Sequence, residues 1–97
     1  SQNSVISFLR FAENPQEHLL IICNFTPIPK KEYQLGIPFY FHYKLVFNSN
    51  LKKYGGSENS KQKIYSPVKR PYHSRPFSIK ANLPPLSIIF LKPMTIL

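Results

Sequence analysis

Apolar residues recur along this chain in short runs of strand length, and each run ends at a proline, a glycine or a cluster of polar turn residues. Val5 to Phe11 alternates loosely, with Val5, Leu9 and Phe11 on one side and Ile6 and Phe8 on the other. Apolar residues on both sides predict a strand covered on both faces, with a neighbouring domain as one source of cover. Glu13-Asn14-Pro15-Gln16-Glu17 reads as a polar turn closing a hairpin. Leu19 to Phe25 is a continuous apolar run and predicts a central strand. Thr26-Pro27-Ile28-Pro29 ends it, because proline offers no amide to a central ladder.

Tyr33 to Pro38 predicts a short edge-type strand ended by its proline, and Tyr40 to Phe47 an aromatic-rich strand closed by Asn48-Ser49-Asn50. The apolar pattern then thins from Leu51 to Arg75, where Gly55-Gly56 marks a sharp loop. The clearest alternation lies in Phe77 to Leu83. There Phe77, Ile79, Ala81 and Leu83 share one face, and Ser78, Lys80 and Asn82 share the other. One face should pack on a core and the other should meet water. Pro84-Pro85 makes a corner, and Leu86 to Leu91 returns as the last apolar strand before Lys92-Pro93. Short strands between turn signals, with nothing helical of useful length, predict an all-β chain folded as an antiparallel sandwich.

Composition agrees with one small domain over residues 1–97, with a flexible start at 1–3 and a long basic, aromatic loop region at 51–75. Ten prolines rule out long helices, and eight Phe with six Tyr supply enough apolar surface for a modest core. Thirteen Lys and Arg against four acids give a formal charge of +9. That balance raises the alternative of a basic β module that binds nucleic acid. Lysine outnumbers arginine ten to three, whereas phosphate and base forks favour arginine, so solvated strand faces account for the charge more simply. The single Cys23 forms no intrachain disulfide and reads as a small buried hydrophobe in a reducing, cytoplasmic setting. No apolar run reaches the ~20 residues of a membrane helix. Ser1-Gln2-Asn3-Ser4 lacks the basic start of a signal peptide, and the missing Met fits an excised or processed chain.

The catalytic inventory is thin. Glu13, Glu17, Glu32 and Glu58 are the only carboxylates, and each sits in or beside a turn. His18, His42 and His73 with one cysteine make no metal-ligand spacing, and Gly55-Gly56 is followed by no Gly-Lys-Ser/Thr. No catalytic, metal or cofactor-binding residue is therefore assigned, and no cofactor is expected. The basic loop interleaves Tyr54, Tyr65, Tyr72 and His73 with Lys61, Lys63, Lys69, Arg70 and Arg75. Such rings stack on bases or on the apolar faces of sugars, or simply anchor a long loop.

Six short segments follow one another: Cys23 to Pro29; Tyr33, Gly36 and Pro38; Asn48-Ser49-Asn50; Tyr54-Gly55-Gly56-Ser57; His73 to Ser78; and Leu83 to Leu86 with Leu91-Lys92-Pro93. Their order resembles the C-terminal domain of bacterial 1,4-α-glucan (glycogen) branching enzymes. Departures from the family pattern are Phe41 and Ser74 where glycine is usual, and Asn50 where Asp is usual. The resemblance implies a β-sandwich like the C-terminal domain of α-amylase-family enzymes, following a (β/α)₈ catalytic barrel absent from this chain. It implies that the nucleophile and acid/base carboxylates belong to that barrel. The parent reaction cleaves an α-1,4 glucan and transfers it to a 6-hydroxyl. The implied partners are the barrel and, through the parent, α-glucan; a membrane is not among them. Tyr54, Tyr72, His73 and Arg75 are the candidate contacts to glucan or barrel, and an exposed apolar patch is expected where the barrel would sit.

Overall fold

A computed structural model describes residues 4–59 and 62–95. The expected flexible start at 1–3 lies outside the described residues. Among the described residues seven strands form: β1 (Val5–Phe11), β2 (His18–Asn24), β3 (Lys30–Ile37), β4 (His42–Asn48), β5 (Ile64–Tyr65), β6 (Phe77–Leu83) and β7 (Ser87–Met94). They build a five-stranded sheet in the order β1-β2-β7-β4-β5 and a two-stranded sheet of β3 and β6, with antiparallel pairing throughout. The predicted all-β antiparallel fold is what the chain adopts.

Strand alternation sends Leu20 and Ile22 of β2, Tyr43 of β4, and Ile89 and Leu91 of β7 inward from the larger sheet. They meet Leu35 and Ile37 of β3 and Ile79, Ala81 and Leu83 of β6. Burying each Leu or Ile contributes about 1.5–3 kcal/mol, so this two-layer contact drives the fold. The Phe77–Leu83 alternation holds, with one addition. Ser78, on the polar face, is fully buried because Val68 pairs with it through two backbone bonds of 2.8 and 3.1 Å.

Two stretches differ from the sequence reading. β7 continues through Lys92-Pro93 to Met94. Pairing with β2 stops at Leu91, so the missing amide of Pro93 costs no ladder bond on that side. The 51–75 region is more ordered than a loop: it holds a 3-10 helix (Lys52–Tyr54), β5, the Val68–Ser78 bridge and a Tyr72–Arg75 hairpin turn.

The six marker segments fold onto one another in pairs. Asn24 donates from Nδ2 to the carbonyls of Ile28 and Pro84, at 3.0 and 2.9 Å, and its Oδ1 accepts from the Thr26 amide and hydroxyl. The Leu86 amide returns to the Thr26 carbonyl, closing the Pro84-Pro85 corner on the end of β2. Asn50 clamps the second pair, donating from Nδ2 to Ser57 Oγ and to Glu58 Oε2. A β-carbon on Gly56 would stand 2.1 Å from the Asn50 carbonyl oxygen, so only glycine lets these segments touch. In the third pair, the Arg75 guanidinium donates to the Gly36 carbonyl and the Gly36 amide donates to His73 Nδ1, both at 3.4 Å. These residues lock loops to strands, which gives each segment a structural reason to carry its residue types.

Candidate functional site

Among the described residues, the outer face of the five-stranded sheet has no second layer. Register places its side chains in rows. Ile6, Cys23 and Ile88 lie side by side across β1, β2 and β7. Phe8, Ile21, Phe90 and Phe47 form the next row across β1, β2, β7 and β4. A bulge between Leu45 and Phe47 in β4 turns the Phe47 ring to within 4.9 Å of Phe90. Tyr54, on the 3-10 helix, extends the row with its ring 5.6 Å from Phe47 and the Lys53 ammonium 5.2 Å over its other flank. Ile6 is 51% exposed and Phe8 46%, although both belong to a seven-residue strand with apolar neighbours.

Beyond the two apolar rows the same face turns cationic. Arg10 of β1 stands opposite Leu19, and Lys92 of β7 stands directly opposite Lys44 of β4. All three cations are exposed. Like charges set directly across a ladder repel, so the Lys44–Lys92 pair weakens the isolated sheet and gains from an acidic neighbour. Cys23 lies on this outer face, buried by its surroundings and free.

Of the residues singled out in the sequence, Tyr72, His73 and Arg75 come together and Tyr54 does not join them. Tyr72 and Arg75 exchange two backbone hydrogen bonds of 3.0 Å, making a two-residue hairpin turn. His73 and Ser74 fill its central positions at φ of 52° and 59°, the left-handed pair that a tight hairpin requires. Ser74 therefore occupies a site that suits glycine, and takes the strain. Tyr72 packs on His73 with ring centres 4.3 Å apart and remains exposed. Phe41, the other departure from the family pattern, has no positive φ and stacks on Phe39 at 5.5 Å.

A buried polar pair lies under the β1–β2 hairpin. His18 Nε2 is 2.6 Å from the Tyr43 hydroxyl, and Nδ1 is 3.0 Å from the Pro15 carbonyl. A carbonyl only accepts, so Nδ1 carries the proton and Nε2 accepts from Tyr43. Burial lowers the His18 pKa, helped by the Arg75 charge and opposed by the Pro15 bond. Burial also raises the Tyr43 pKa. This pair fastens the hairpin rather than offering an acid or base to a substrate. Among the described residues, no three His, Cys, Asp or Glu side chains converge as metal ligands, and no helix is long and apolar enough to cross a membrane.

A family described as the alpha amylase C-terminal all-beta domain matches residues 1–94. The chain belongs to that family. This alpha-amylase C-terminal domain is 43% identical to the 1,4-alpha-glucan branching enzyme GlgB of Halothermothrix orenii, over 97% of the chain and 15% of that enzyme. It is 41% identical to the same enzyme of Aquifex aeolicus, over 94% of the chain and 14% of that protein. Against the Bacillus subtilis enzyme it is 38% identical, with 94% and 14% covered. The resemblance read from the six segments is borne out, while the nucleic-acid alternative finds no support. The alpha-amylase C-terminal domain spans about 15% of the length of such relatives.

Sequence reasoning found apolar residues on both faces of β1 and missed the rest of the outer face. The signal was present in β2 and β7, where Leu19 to Phe25 and Leu86 to Leu91 carry apolar residues at consecutive positions instead of alternating with polar ones.

Proposed function

We propose that this chain is the C-terminal accessory domain of a 1,4-α-glucan branching enzyme, and that it supports the catalytic barrel by docking on it through the outer face of the five-stranded sheet. The observation that carries this reading is the pair of apolar rows, Ile6-Cys23-Ile88 and Phe8-Ile21-Phe90-Phe47, left without a second layer in a chain about one seventh the length of its branching-enzyme relatives. Apolar sheet faces need cover, and a domain whose family is C-terminal by description can take that cover from a preceding catalytic domain. Tyr54 belongs to this docking face through Phe47. The Tyr72–Arg75 hairpin holds β3 through Gly36, and offers the exposed Tyr72 and His73 rings to docking or glucan contact. Arg10, Lys44 and Lys92 at one edge of the face pair with carboxylates on the barrel. Cleavage of the α-1,4 bond and transfer to a 6-hydroxyl belong to the barrel's own residues. The single unpaired thiol supports a reducing, cytoplasmic setting.

A chimera tests this reading. This chain replaces the C-terminal domain of the Halothermothrix orenii enzyme, and branching is followed by the fall in amylose–iodine absorbance. The unsubstituted chimera is expected to branch amylose. Ile6→Asp with Phe8→Asp should lower its melting temperature and its activity, while the isolated chain with the same two changes keeps its fold. A doubly substituted chimera as stable and active as its parent would defeat the docking role.

A further inference from the structure

A second feature lies on the inner side of the same sheet, away from the docking face. Where the two sheets part, between the end of β4, β5 and the end of β6, a cleft of about 230 Å³ opens to solvent. Its floor is apolar, formed by Leu45, Leu83 and Ile89 together with proline rings of the corner. Its wall carries a fixed carboxylate. Glu58 accepts from Asn48 Nδ2 at 3.4 Å and from Asn50 Nδ2 at 3.0 Å, and its backbone bonds to the Lys52 amide and the Asn50 carbonyl. Gly56 packs against the Asn50 backbone, where a β-carbon would not fit.

Donors line the same cleft as this acceptor. The Tyr65 hydroxyl lines the cleft and accepts from the Asn82 amide at 3.4 Å, which leaves its own proton to donate. Asn82 accepts at Oδ1 from the Glu32 amide, which leaves its Nδ2 to donate. Burial raises the Tyr65 pKa, the bond from the Asn82 backbone amide opposes the rise and the Glu58 charge adds to it, so the hydroxyl stays protonated at neutral pH. Lys30, Lys31 and Lys63 line the same cleft. An anion can only accept, so it would leave the fixed Glu58 acceptor without a partner. A neutral ring with adjacent hydroxyls uses both: it donates to Glu58 and accepts from Tyr65, Asn82 and the lysines, while its C–H face rests on the floor. A rigid apolar floor with a few fixed polar groups is the usual form of a small-ligand site, and rigidity lowers the ordering cost of binding.

We propose that this cleft binds a hexose unit of an α-glucan chain, with Glu58 accepting from the sugar and Tyr65 and Asn82 donating to it. The choice of glucan rests on the branching-enzyme reading above; the cleft itself does not. Because it lies on the inner side of the sheet, it stays open when the outer face is covered.

Amide NMR of the 97-residue chain titrated with maltoheptaose tests the site. Shifts are expected at Glu58, Asn59, Lys63, Tyr65 and Asn82, with millimolar affinity. Tyr65→Phe and Glu58→Gln should each weaken binding about fivefold, the worth of one hydrogen bond. Spectral dispersion shows whether each variant has folded; should Glu58→Gln unfold the loop, the wild-type shift map and Tyr65→Phe still decide. Shifts centred instead on Tyr54 or Tyr72, or no shifts up to about 20 mM sugar, would overturn the proposal. So would inorganic phosphate producing the same shifts where maltoheptaose does not. Each of these failures leaves the docking result of the chimera untouched, and a failed chimera leaves the shift map to stand or fall alone.

Discussion

A β-carbon at Gly36 would lie 2.0 Å from the carbonyl oxygen of Tyr72. The Tyr72–Arg75 hairpin crosses β3 at a separation that only a hydrogen side chain permits, and Arg75 and His73 bond to the Gly36 backbone at that crossing. The opposing atom is backbone, which yields less readily than the tip of a flexible side chain. Gly36→Ala should therefore destabilise the chain by about 2–3 kcal/mol, the upper part of the usual overpacking range. Urea unfolding measures it, and an unchanged midpoint would show that the hairpin does not lie on β3.

Ser74 holds φ at 59° in the same turn. A left-handed conformation costs a non-glycine residue about 1–2 kcal/mol, offset in part by the greater freedom of glycine in the unfolded chain. Ser74→Gly should raise stability by about 0.5–1 kcal/mol on that balance. His73→Gly should gain less, because it also removes the ring that accepts from Gly36. Paired thermal melts distinguish the two; equal gains would mean that the His73–Gly36 bond contributes nothing.

His18 makes stability depend on pH. Its pKa is lowered on folding, so the unfolded chain binds a proton more readily than the folded one. The contribution of neutral His18 is complete above the ordinary value of 6.5 and is lost as pH falls from there through the depressed folded value. Protonation would put a second N–H against the Tyr43 hydroxyl, which must then give up its donated bond. The melting temperature is expected to fall between pH 7.5 and pH 5, and His18→Gln should flatten that part of the slope while lowering stability throughout. A slope unchanged in the variant would assign the effect to other groups.

Lys44 and Lys92 offer a test that separates folding from docking. Lys92→Glu replaces a like-charge cross-strand pair by an opposite one, and should stabilise the isolated chain by about 0.5 kcal/mol. In the chimera the same change removes a cation from the docking face, and should lower the melting temperature and make it less sensitive to salt. A parallel gain in both settings would remove the acidic partner surface from the proposal.

The sequence alone determined the local grammar of this protein. The alternation of Phe77 to Leu83, the continuous run of Leu19 to Phe25 and the prolines at their ends specify strands and corners through residues close in the chain, because period and missing amides are local properties. The order of six segments identified the family without any knowledge of what the segments do. Only the tertiary structure decided their purpose. Asn24 reaches Pro84 across 60 positions, and Arg75 reaches Gly36 across 39, and contacts of that separation leave no periodic trace. The apolar outer face was half legible: β1 announced apolar residues on both sides, but choosing which side faces the core required the register of β2, β7 and β4. The cleft was not legible at all, since Glu58, Tyr65 and Asn82 meet only where the two sheets diverge. Strand pairing is a non-local choice made by burial of the whole core, and these sites are its consequences.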